Sequence, residues 1–258
     1  MPNFHKASFS VPSPFDLYLP EGLGSLPFIF ITPLLGRLLF FDDLLLESHF
    51  ARFFASRGFG VALIHRPIFA FDPERGLEQM QEYLTESVAR NRKVFDFLLA
   101  RKEINPEKVG DFGISFGAVV NSLWAARDPR LKAHVFALGG GNLAEIFMTS
   151  RDWLMRSYFK AAVRKMGGKK EDLKAGLKKL LHPDPLEVCQ SIPRENILMV
   201  LALFDRVIRF RYGLAFRSAL GNPETVFLPL GHYTSIPTIP FIQWKALDFF
   251  KRRFKAAG

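Results

Sequence analysis

The chain has 258 residues, 48% hydrophobic and 23% charged, which suits one sizeable α/β domain and excludes a disordered composition. Its single cysteine, Cys189, excludes an internal disulfide and a zinc-type cysteine cluster. The net charge of +10 comes with no nucleic-acid motif, so no nucleic-acid partner is expected.

The opening stretch "MPNFHKASFSVPSPF" has no continuous apolar run of the kind a signal peptide needs, and "LPFIFITPLLG" is too short to span a bilayer. With no disulfide, these features predict a soluble protein in a reducing, cytoplasmic compartment. "KASFSV" and "FDLYLP", parted by "PSP", predict an antiparallel hairpin. Apolar runs follow at Phe28 to Thr32, Gly60 to His65, Val109 to Phe112, His134 to Leu138, Ile197 to Phe204 and Thr225 to Leu228. They do not alternate apolar with polar, which predicts parallel strands covered on both faces. Helical patterns lie between them: one from Leu46 to a stop at Gly58, the long "GLEQMQEYLTESVARNRKVFDFLLARK", one from Ser115 to Arg127, and the closing "PFIQWKALDFFKRRF". Strand alternating with helix predicts an α/β fold with a mostly parallel sheet and helices on both faces.

One segment breaks that rhythm. Residues 142–191 are long, basic and mostly helical in pattern, and they read as a helical cap inserted into a core made of 1–141 and 192–258. Within it, "RDWLMRSYFKAAVRKM" has two faces. Leu154, Tyr158, Ala162 and Met166 recur every fourth residue, flanked by Met155, Phe159 and Val163. Arg156, Lys160 and Arg164 form a separate basic stripe. The apolar face closes over a pocket in one reading; in another, the helix makes weak contact with an anionic membrane surface, with Trp153 as anchor; in a third it simply packs on the domain. The chain has 28 phenylalanines, enough to fill a core and line an apolar pocket.

The chemistry is carried by "GDFGISFG", Gly110 to Gly117. Gly113-Ile114-Ser115-Phe116-Gly117 matches G-x-S-x-G between a strand and a helix, where a serine is raised on a tight turn as a nucleophile. A nucleophilic serine needs a base, a group to orient that base, and N–H donors for the developing oxyanion. Two later strands supply candidates: "LALFDRVI" ends in Asp205, and "LGHY" carries His232 just past its strand. Both fall at carboxyl ends of strands, where open α/β sheets hold their sites. Taken singly, Asp205 could be a helix cap and His232 a loop histidine.

At these residues the chain resembles the α/β-hydrolase superfamily, nearest to small esterases and dienelactone-hydrolase-like serine hydrolases. The resemblance implies Ser115 as nucleophile, His232 as general base and acid, and Asp205 as the carboxylate that orients it. It implies an oxyanion hole from the N–H of Phe116 and one from the loop "Thr32-Pro33-Leu34-Leu35-Gly36", where Pro33 has no N–H and Leu34 is the expected donor. Ala118 stands where many relatives have a further glycine. Leu35 and Phe159 are the expected pocket residues. No metal or cofactor is expected. The implied activity is hydrolysis of an ester or thioester of an apolar acyl group through an acyl-enzyme, on a small-molecule substrate; the alternative is a non-catalytic protein of this fold that binds a small apolar ligand. A peptidase is a third reading. Asp184 is an alternative acid or an N-cap, Asp111 an unusual carboxylate inside a strand, His65 and Arg66 pocket or salt-bridge residues, and Cys189 a core residue.

Overall fold

A run such as Phe28 to Thr32 has no polar face to give to water, so it must be covered twice. In the computed structural model, which describes residues 3–22, 24–35, 44–67, 72–75, 78–165 and 170–256, it is. This strand, β3 (Leu26–Thr32), sends Phe28 and Phe30 into one core and Ile29 and Ile31 into the core on the opposite face. The period-2 alternation of a strand thus divides one apolar run between two layers.

Among the described residues, eight strands form one sheet: β1 (Phe4–Phe9), β2 (Phe15–Pro20), β3, β4 (Gly60–Ile64), β5 (Ile104–Ile114), β6 (Ala133–Ala137), β7 (Ile197–Ala202) and β8 (Glu224–Leu228), in the order β1-β2-β4-β3-β5-β6-β7-β8. β1 pairs antiparallel with β2 as the hairpin predicts, and β2 pairs antiparallel with β4. Every pairing from β4 to β8 is parallel. All carboxyl ends of those strands therefore share one edge.

The helices are α1 (Leu45–Ala55), α2 (Glu78–Leu99), α3 (Phe116–Ala125), α4 (Leu143–Thr149), α5 (Trp153–Lys165), α6 (Lys170–Leu180), α7 (Pro185–Val188), α8 (Phe210–Ala219) and α9 (Ile239–Ala256). Phe50 and Phe54 of α1 pack with Phe112 of β5 and with Phe250 of α9 on one face. On the other face Phe95 of α2 and Trp124 of α3 meet Phe30 edge-on at 5.2 and 5.6 Å between ring centres. Each such ring contributes roughly 1.5–3 kcal/mol by leaving water, and this is where many of the phenylalanines go.

Helices α4 to α7 fill the connection between β6 and β7. They are not detached from the body: Leu143, Phe147, Leu154, Tyr158 and Leu177 share a third apolar cluster with Met80 and Leu84 of α2 and Val119 and Leu123 of α3. On α5 the apolar face is turned inward and Arg156, Lys160 and Arg164 outward, with Arg164 paired to Glu74. Gly36 and Met166 lie outside the described residues. Among the described residues no helix is long and apolar enough to cross a membrane.

Candidate active site

The turn at Ser115 is built by two close approaches. A Cβ on Gly113 would come within 2.4 Å of the Gly117 carbonyl oxygen, and one on Gly117 within 2.4 Å of the Thr32 carbonyl oxygen. Only glycine lets β5 turn this sharply into α3 while β3 passes alongside. Ser115 between them takes φ 57° and ψ −119°, a backbone state that costs a side-chain-bearing residue on the order of 1–3 kcal/mol. Ala118 fits because residue 139 has no side chain: a Cβ on Gly139 would lie 2.7 Å from that of Ala118.

The strained turn aims the Ser115 hydroxyl at His232, whose Nε2 lies 3.0 Å from Oγ. The other ring nitrogen, Nδ1, lies 2.7 Å from Oδ2 of Asp205. Asp205 is itself held, because its Oδ1 accepts the N–H groups of Val207 and Ile208 at 2.8 and 2.9 Å. The two turn amides and the histidine thus use different oxygens of Asp205, and the helix that follows, α8, starts only at Phe210. With Nδ1–H donated to the carboxylate, Nε2 carries a lone pair toward the Ser115 O–H. The chain of three residues spans β5, β7 and β8, and each contributes from a carboxyl end.

Ser115 and His232 border a cavity of about 1390 Å³. Its lining includes the apolar Met80, Leu84, Val119, Leu143, Phe147 and Leu154 and the polar Asp16, His65 and Arg66. Leu35 lines the cavity. Phe159 does not: it is half-buried against the third apolar cluster, one turn beyond Met155, which does line the cavity. The four-residue repeat identified the buried face of α5, but not how far along the helix the cavity reaches. Trp153, 72% exposed, stands at the rim.

Phe116 opens α3, where the first amides have no carbonyl within the helix to donate to. The expected second donor, Leu34, is differently engaged: its N–H donates to Oε1 of Glu47 at 3.0 Å. Thr32, the last residue of β3, donates its hydroxyl to Asn121 of α3 and accepts from Asn91 of α2 at 2.6 Å, tying the start of this loop to the helix behind Ser115.

The remaining candidates are structural in their bonds. Asp184 is the N-cap of α7 in a capping box, and it also accepts the amides of Asn142 and Leu143. Asp111 sits fully buried beside His134; burial pushes its carboxyl pKa up, and the histidine offsets this only in part. His65 reaches Asp16, and Arg66 reaches Glu47. Burial pushes the Cys189 thiol up to about 11. Two groups escaped the sequence reading. Tyr233, next to His232, donates its hydroxyl to Asp152 at 2.7 Å, and the other oxygen of Asp152 caps α5 through Leu154 and Met155. Glu47 did leave a signal: it falls on the helical face of Phe50, Ala51 and Phe54, where a carboxylate needs a partner.

No family model matches the chain, and no curated protein matches it in sequence. Solved structures do. The acylaminoacyl peptidase of Pyrococcus horikoshii superposes on 97% of this chain with a TM-score of 0.67 at 18% identity. This chain spans 42% of that protein's length. A cold-adapted esterase from an Arctic intertidal metagenomic library covers 97% of this chain and is itself 93% covered, at TM-score 0.61 and 16% identity. A Klebsiella pneumoniae protein assigned as a dienelactone hydrolase covers 97% of this chain and is 99% covered, at TM-score 0.65 and 16% identity. At such identities the likeness speaks for the fold, and this chain adopts the fold of the α/β-hydrolase superfamily.

Proposed function

We propose that the protein is a serine hydrolase that cleaves a carboxylic ester or thioester of an apolar acyl group through an acyl-enzyme. The observation that carries this reading is the continuous hydrogen-bonded chain from Ser115 through His232 to Asp205 at the wall of a largely apolar cavity. His232 accepts the Ser115 proton as Oγ attacks the acyl carbon, and Asp205 stabilises the imidazolium that forms. The tetrahedral intermediate collapses, the C–O or C–S bond breaks, and His232 returns the proton to the departing alcohol or thiol. Water then attacks the acyl-serine by the same route in reverse, and the carboxylic acid leaves. The amide of Phe116 faces the developing oxyanion in this scheme, and helices α4 and α5 act as a cap over the acyl chain.

The test is labelling by a fluorophosphonate probe, followed by turnover of p-nitrophenyl esters from C2 to C12 and of a matched p-nitroanilide. The expected result is labelling that Ser115→Ala removes, with ester turnover exceeding amide turnover. Labelling with no turnover of any substrate would favour a ligand-binding protein of this fold instead.

A further inference from the structure

Glu47 and Arg66 come from α1 and from just past β4, and both close on Leu34, in the loop that follows β3. Glu47 Oε1 accepts the Leu34 N–H at 3.0 Å, Arg66 Nε donates to the Leu34 carbonyl at 2.8 Å, and Arg66 Nη2 donates to Glu47 Oε1 at 2.8 Å. The three bonds form a closed ring around one residue. Both side chains are largely buried, at 4% and 11% exposed. A buried ion pair rarely contributes much net stability, so its geometry is the more informative property.

That geometry determines a direction. The Leu34 carbonyl and the Leu35 N–H belong to one planar trans peptide, so they point opposite ways. By holding the carbonyl, Arg66 turns the Leu35 N–H away from itself. Leu35 borders the same cavity as Ser115, and the Leu34 N–H is already committed to Glu47. We propose that Glu47 and Arg66 are positioning residues for the oxyanion hole, and that its second donor is the N–H of Leu35 rather than of Leu34. The proposal rests on the hydrolase reading above. Arginine is needed for its fork: Nε takes the carbonyl while Nη2 takes the carboxylate, which a lysine ammonium cannot reproduce with the same geometry.

The test compares Arg66→Lys, Glu47→Gln and Glu47→Ala with wild type for kcat and KM on p-nitrophenyl octanoate, for inhibition by 1-octylboronic acid, and for Tm. The boronic acid adds to Ser115 as a tetrahedral adduct whose oxygen occupies the oxyanion position. Arg66→Lys and Glu47→Ala are expected to lower kcat by about 10- to 100-fold, since losing one oxyanion donor outright costs about 10²–10³. KM should move less than about threefold, and boronate affinity should weaken in step with kcat. Glu47→Gln keeps an acceptor for Leu34 and is expected to recover most of the loss. Replacing Leu35 by its α-hydroxy acid, which exchanges the N–H for an ester oxygen and also weakens the Leu34 carbonyl as an acceptor for Arg66, should weaken boronate binding more than the same change at Leu34. Wild-type kcat and boronate affinity in a folded Arg66→Lys would overturn the positioning role, as would a lower kcat with unchanged boronate affinity. A larger effect at Leu34 than at Leu35 would overturn the donor assignment. A wild type that neither turns over esters nor labels at Ser115 would remove the hydrolase reading and this proposal together.

Discussion

Asp205 and His232 leave the sheet at the ends of neighbouring strands and meet at 2.7 Å, 27 residues apart in the chain. Only one oxygen of Asp205 serves the histidine; the other holds two backbone amides. Asp205→Asn keeps a carbonyl oxygen for one of those tasks and can present an amide N–H to the ring in place of an acceptor. That favours the wrong tautomer of His232. Ester turnover is expected to fall by about 10⁴-fold, with Tm little changed. Steady-state kinetics beside a melting curve checks both halves.

Ser115 carries the reacting oxygen and a strained backbone at once. Ser115→Ala should lose at least about 10⁴ in kcat while remaining folded. Ser115→Gly is equally inactive but relieves the positive φ, so it should be more stable than Ser115→Ala by about 1 kcal/mol. Equal urea midpoints for the two variants would refute the strain.

On α5, Met155 and Phe159 both pack on the third apolar cluster, but only Met155 reaches the cavity. Met155→Trp should shorten the acyl chain accepted, lowering kcat/KM for C12 esters more than for C2. Phe159→Ala should lower Tm and affect all chain lengths alike, because Phe159 packs on the third apolar cluster without itself lining the cavity. A chain-length profile for each variant at a fixed interval below its Tm distinguishes the two effects.

Cys189 is fully buried, and burial holds its thiol at about 11. A raised value keeps the sulfur protonated at neutral pH, and the thiolate is the reactive form. Native protein at pH 8 should not react with Ellman's reagent over an hour, whereas denatured protein should release one equivalent. Rapid reaction of the native form would contradict this burial.

Asp111 and His134 form a fully buried pair between β5 and β6, behind the serine turn. Removing one partner leaves the other without compensation, so Asp111→Ala should cost about 3–5 kcal/mol of stability. Chemical denaturation measures this directly.

The fold was legible in the sequence because its signals are local. Runs such as Ile197 to Ala202 are apolar on both sides, and glycine, serine and glycine in five residues mark the turn before α3. The order of Ser115, Asp205 and His232 at strand ends was readable for the same reason: parallel strands carry their carboxyl ends to one edge wherever they lie in sequence. Distances across that edge were not readable. Leu34 and Leu35 are adjacent and chemically alike, and what separates them is the direction of a peptide plane set by Arg66 and Glu47, which lie 32 and 13 residues from Leu34. Leu154, Met155 and Phe159 share one helix, one apolar pattern and one apolar cluster, yet only Leu154 and Met155 also reach the cavity. Local propensity and periodicity act through near neighbours in the chain. The direction of an amide and the reach of a cavity depend on side chains brought together from distant segments, so only the tertiary structure decides them.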